Sequence, residues 1–158
     1  METPPTTDFQ LHFLCANHRE WVSENPEQSR QFVADTKRKG QRMLRQLRWH
    51  DAIPYWGCIF ETAEILDDCS VEPSAEVLSL LCQAARALSR CFTELDAQDM
   101  AYVVISQARR RIEAIAFTYE LQAVPCWIVD CLDLLKTEWA PSAKFSPAGA
   151  FAAHPTLH

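Results

Sequence analysis

The sequence predicts an all-α protein of about six helices stacked as antiparallel hairpins, and three observations predict it. Only three glycines occur in 158 residues, too few for the tight turns of an all-β fold or for a phosphate-cradling loop. Ala, Leu, Gln, Glu and Arg dominate the central stretches, and these residues lose little entropy in a helix. Apolar residues there recur at intervals of three and four, the period of a helical stripe, and no strand pattern interrupts them.

Each element has its own signal. Asp8 is the expected N-cap of a first helix through 9–23. Asn25 caps the second, Pro26 suits its first position, and Gln28 sits where a capping box closes. That helix runs to about Arg48 and breaks at Trp49 and His50. Asp51 then caps a third helix over 52–66, which puts Pro54 at the third helical position, where a missing N–H costs nothing. Ser74 caps a fourth helix over 75–95, striped by Leu78, Leu81, Ala85, Leu88 and Phe92. The turn "DAQD" leads into a fifth, 98–119, with Ala101, Val104, Ile105, Ala108, Ile112 and Ile115 on one face. Pro125 opens the sixth. Residues 1–140 are thus expected to form a single helical domain, with 141–158 a flexible C-terminal tail. Short links make neighbouring helices antiparallel.

Composition sets outer limits. The 48% hydrophobic and 23% charged content is that of a globular chain. A formal net charge of −6 disfavours general nucleic-acid binding, which needs cations against phosphates. Seven cysteines, an odd number without framework spacing, fit reduced and largely buried thiols in a cytoplasmic protein. No apolar run reaches the roughly 20 residues of a membrane span, and the first ten residues have no signal-peptide character.

Two of the expected hairpins resemble tetratricopeptide repeats. In the second, Leu88, Ser89 and Phe92 are followed by Ala101, Ile105 and Ala108. In the first, Gly40 and Met43 match, as do Ala52 and Trp56, with Trp49 at the turn. Small residues at such positions let helices approach closely, and large ones fill the space between. The first hairpin departs from the pattern at Lys39, where a large apolar residue belongs, and at Ile59, where a small one does. Ala52 and Ala101 lie 49 residues apart, beyond the roughly 34 of a standard repeat. The resemblance covers about residues 30–115 and implies stacked hairpins with a groove lined by the first helix of each pair. A small acidic protein of this kind is also similar to the secretion chaperones built from such repeats, a family-level analogy.

Charge is placed unevenly. Residues 37–48 hold six cations and no acid, and residues 49–85 hold seven acids and no Lys or Arg. One expectation is that the second and third helices neutralise each other, pair by weak pair. The other follows from the resemblance: Lys37, Gln41 and Arg45 face the groove from one hairpin, and Arg86 and Arg90 from the next. Spacings of four keep each set on one helix face, and a basic groove attracts an acidic peptide or a terminal carboxylate.

Other candidates are weaker. His12, Cys15 and His18 recur at three, but they diverge around a helix and lack a fourth ligand, so no metal is expected. Glu61, Glu64 and Asp68 align at helical spacing, as an acidic helix does by chance. "ARRRIE", residues 108–113, is expected to balance nearby acids. Trp21, Trp49, Tyr55, Trp56, Phe60 and Trp127 are core candidates. With no nucleophile elbow, phosphate loop or metalloprotease motif, no enzyme and no cofactor are expected. The sequence points to a cytoplasmic adaptor or chaperone holding a peptide or helix of a partner protein, with no nucleic acid and no membrane. The alternative is an oligomeric regulatory or assembly subunit, a homodimer included, joined through apolar helix faces.

Overall fold

A computed structural model describes residues 11–138, and among them the chain is all-helical. The six helices are α1 (Ala16–Glu24), α2 (Pro26–Arg45), α3 (Trp49–Cys69), α4 (Ala75–Glu94), α5 (Gln98–Ala116) and α6 (Cys126–Glu138). From α2 to α5 each helix packs on the next; α6 lies against α4 and α5, and α1 against α3 and α2. The expected cap at Asp8 and the expected tail at 141–158 lie outside the described residues.

The predicted stripes form the core. Leu78, Leu81, Ala85, Leu88 and Phe92 of α4 are buried, as are Ala101, Val104, Ile105, Ala108 and Ile112 of α5. Gly40, Ala52, Trp56 and Ser89 are buried too. Lys39 is exposed and Ile59 fully buried. Of the aromatic candidates, Trp56 and Phe60 are core, Trp49, Tyr55 and Trp127 are half-buried, and Trp21 lies at the surface.

Several boundaries differ from the sequence reading. The first helix begins at Ala16, and residues 11–15 are not helical. Two of their backbone N–H groups, those of Phe13 and Leu14, are taken instead by a side chain of α3, described below. Asn25 makes no side-chain cap; its Nδ2 donates to Trp21 O at 2.9 Å, which closes α1 rather than opening α2. The third helix starts three residues earlier than Asp51 allows, with Arg48 at the N-cap position. Asp51 therefore sits inside the first turn, where its carboxylate accepts from Arg48 Nε at 2.9 Å. Pro54 is correspondingly the sixth residue of α3, past the free first turn, and it leaves the His50 carbonyl without its usual helical donor. The Ser74 cap forms, accepting from Val77 N at 3.4 Å.

The two turns that close α2–α3 and α4–α5 are built alike. Leu47 and Asp96 both adopt the left-handed conformation, at φ 56 and 58. Arg48 N donates to Met43 O at 2.9 Å, and Ala97 N donates to Phe92 O at 2.8 Å. Leu47 N reaches Leu44 O at 3.0 Å and Asp96 N reaches Thr93 O at 3.1 Å. Each turn thus satisfies the last carbonyls of a helix in the same way.

Candidate functional site

Between α2 and α4 runs a cleft of about 310 Å³. Val33 and Ala34 from α2, Leu66 from α3, and Val77 and Leu80 from α4 give it an apolar base. The helices do not pack directly on each other there; long side chains meet across the gap. Arg30 Nη1 donates to Glu76 Oε2 at 2.8 Å, and Lys37 Nζ donates to Gln83 Oε1 at 2.6 Å.

Of the predicted binding residues, Lys37 lines this cleft. Half-buried Gln41 and exposed Arg45 continue the same face of α2 toward its C-terminus. On α4, half-buried Arg86 and exposed Arg90 lie three and seven residues past Gln83, on its side of the helix, but do not line the cleft. Arg90 places its guanidinium carbon 5.1 Å from the centre of the Trp49 ring, a cation–π contact at the start of α3. Residues 36–48, the later part of α2 with the turn after it, and residues 77–93 of α4 hold no acid. Sequence reasoning missed Arg30, Glu76 and Gln83. A spacing signal existed: Arg30 precedes Lys37 by seven residues and Glu76 precedes Gln83 by seven, two turns in each case.

Of the acids of α3, Asp51 pairs with Arg48 of the cationic run, but Glu61, Glu64, Asp67 and Asp68 are engaged elsewhere, so the expected neutralisation is met at that one pair. Glu61, nearly buried, accepts backbone N–H bonds from Phe13 at 2.6 Å and Leu14 at 2.8 Å through one oxygen. Its other oxygen lies 3.3 Å from His12 Nδ1 and 3.6 Å from Arg19 Nε. Phe13 packs so closely on Gly57 that a β-carbon there would collide with its ring. The segment before α1 is in this way strapped onto α3.

On the other side of α3, Arg111 reaches Asp68 at 2.6 Å, Asp67 at 3.0 Å and Glu64 at 3.7 Å. The expected balancing role of "ARRRIE" is carried by Arg111, and Arg109 pairs with Glu113 at 3.2 Å. Burial raises the pKa of Glu64, an effect that the hydrogen bond from Gln107 and the charge of Arg111 partly offset.

His12 turns to Glu61, while Cys15 Sγ lies 3.3 Å from His18 Nδ1. Among the described residues no cluster of three His, Cys, Asp or Glu could hold a metal ion. All seven cysteines are free thiols, but the expectation that most are buried is corrected: Cys82, Cys91 and Cys131 are, Cys58 is half-buried, and Cys15, Cys69 and Cys126 are exposed. The exposed three sit at or beyond helix ends or on an outward face, positions that an apolar neighbourhood in sequence does not reveal. Among the described residues no helix is long and apolar enough to cross a membrane. Comparison with protein-family models, with curated proteins and with solved structures gave no match.

Proposed function

We propose that the chain is a non-enzymatic protein-interaction module, a tetratricopeptide-like adaptor or chaperone that holds an acidic segment of a partner protein in the α2–α4 cleft. The observation that carries the reading is that α2 beyond Asp35 and α4 from 77 to 93 hold no acid, while Lys37, Gln41 and Arg45 lie along one face of α2 and Arg86 and Arg90 along one face of α4. Glu61 and Glu64 of α3 face Arg19 and Arg111. Support for a repeat comes from the two alike turns, centred on Leu47 and Asp96. They are 49 residues apart, the same offset as Ala52 and Ala101.

The test is affinity capture from the native cell with the wild type and with Arg45→Glu/Arg90→Glu, scored per folded molecule alongside thermal melts. Both side chains are exposed, so beyond the loss of the Arg90–Trp49 contact their reversal should cost little stability while partner recovery falls sharply. A lowered melting point with recovery intact would remove the reading.

A second reading, assembly through apolar surface, is favoured by Val71, Phe117 and Leu121, which are 101%, 88% and 97% exposed. The bond of Arg111 to Asp68 brings their two loops to one end of the bundle. Sedimentation would decide it: a dimer that dissociates in a Val71→Ser/Phe117→Ser/Leu121→Ser variant supports this reading.

A further inference from the structure

The two bonds that cross the cleft are weakly held. Arg30 and Glu76 expose 51% and 69% of their side chains, and exposed ion pairs of this kind contribute little. Lys37 is answered by the amide oxygen of Gln83, a neutral acceptor where a carboxylate would bind more strongly. Beneath both bonds lies the apolar base formed by Val33, Leu66 and Leu80.

Resting on the reading that this cleft holds a partner segment, we propose that Arg30 and Lys37 read two carboxylates of an extended acidic peptide. Glu76 and Gln83 are the internal stand-ins that the peptide displaces. Three features fit this ligand. Arg30 and Lys37 lie on one face of α2 and two turns apart, about 10.5 Å along the axis. A polyproline-type chain returns to the same side every three residues, about 9.3 Å. Acids at positions one and four of a short motif therefore meet both cations, and an apolar residue between them drops onto Val33 and Leu80. The walls also stay within side-chain reach of each other, which suits an extended chain better than a helix about 10 Å thick. The acid-free course of both walls beyond Lys37 favours further negative charge on the peptide's continuing end.

The experiment is fluorescence anisotropy with a labelled dodecapeptide centred on Glu-Leu-Pro-Glu and its Gln-Leu-Pro-Gln twin. The wild type should bind the acidic peptide about tenfold more tightly than the neutral one. Glu76→Gln should tighten acidic binding about threefold, since Arg30 loses its nearer internal competitor and keeps only exposed Glu27, 4.0 Å away. Arg30→Gln/Lys37→Gln should erase the preference. Equal binding of the two peptides by the wild type removes the carboxylate-reading proposal and leaves the cleft as a binding site. Acidic binding unchanged in Arg30→Gln/Lys37→Gln also overturns the proposal, because the contact then lies elsewhere. Binding of neither peptide overturns the proposal and counts against the cleft reading itself.

Discussion

Gly40 of α2 and Trp56 of α3 meet so closely that a β-carbon on Gly40 would stand 2.9 Å from the indole Nε1 and 3.1 Å from Cε2. The indole is 3% exposed and cannot swing clear. Among the described residues its Nε1 has no hydrogen-bond partner, so the space goes to contact and not to a donor–acceptor pair. The approach of the two helices is set here by a missing side chain.

Gly40→Ala should therefore destabilise, although alanine is the better helix former. Propensity favours alanine by about 1 kcal/mol, whereas crowding a packed site costs about 1–3 kcal/mol. The expected net loss is about 1 kcal/mol in urea unfolding. A gain in stability would mean that the α2–α3 contact is looser than this geometry.

The strap on α3 should fail in two distinguishable ways. Glu61→Gln keeps an oxygen for the Phe13 and Leu14 amides but loses its charge toward Arg19, at a cost of about 1 kcal/mol. Glu61→Ala leaves those amides without their acceptor, at about 3 kcal/mol. Hydrogen exchange at Phe13 and Leu14 should accelerate strongly in the alanine variant and modestly in the glutamine one. Gly57→Ala should also dislodge the strap, and its cost should largely vanish in a Phe13→Ala background, since the two residues share one contact.

Glu64 gives a pH-dependent prediction. Burial raises its pKa in the folded state from an ordinary 4.5, so folding holds its proton more tightly than the unfolded chain does. Its favourable contribution is complete below the unfolded value and is lost as pH rises through the folded one. At neutral pH the ionised group works against the fold. Glu64→Gln should raise the melting point at pH 7, because Gln107 keeps an acceptor and Arg111 keeps Asp67 and Asp68. The gain should shrink as pH falls through the raised folded value and be gone once pH is below about 4.5. A gain independent of pH would show that it does not come from this titration.

Thiol chemistry should sort the cysteines by burial. A small aromatic disulfide should modify Cys15, Cys69 and Cys126 rapidly in the native protein, with Cys58 slower. Cys82, Cys91 and Cys131 should react only on unfolding. Burial pushes the Cys91 thiol up to about 11 and raises Cys82 and Cys131 as well, which keeps them out of the reactive thiolate form. Peptide mapping by mass spectrometry checks the order, and early labelling at Cys82 or Cys131 would reveal an opening of the α4–α6 contact.

The helices were legible in the sequence because each core stripe repeats at helical spacing; the stripe of α4 and nearly all of that of α5 are buried. Caps were less legible. Asp51 carries every local mark of an N-cap, yet the helix begins at Trp49 because the turn through Leu47 already satisfies the end of α2 and leaves Arg48 to start α3. The first helix was overextended for a related reason: residues 11–14 have helical composition, but a carboxylate 47 residues downstream of Leu14 claims the amides of Phe13 and Leu14. The cleft was half legible. Lys37 stood out within a cationic run, whereas Arg30 became visible only once Glu76 was seen opposite it. Charge counting pairs residues by proximity in the chain, and here the partners lie on helices whose backbones stay apart.

The twin turns bear on the order in which the molecule assembles. Each clamps its hairpin through contacts only a few residues apart, so the register of α2 on α3 and of α4 on α5 is set locally, at little loop-closure cost. The two hairpins can then meet as preformed halves. The strap has no such advantage, since Phe13 must find Glu61 across 48 residues of chain, after α3 exists to receive it. On this account it is the last piece to settle and the first to lift, a fraying edge on a body whose two hairpins close early.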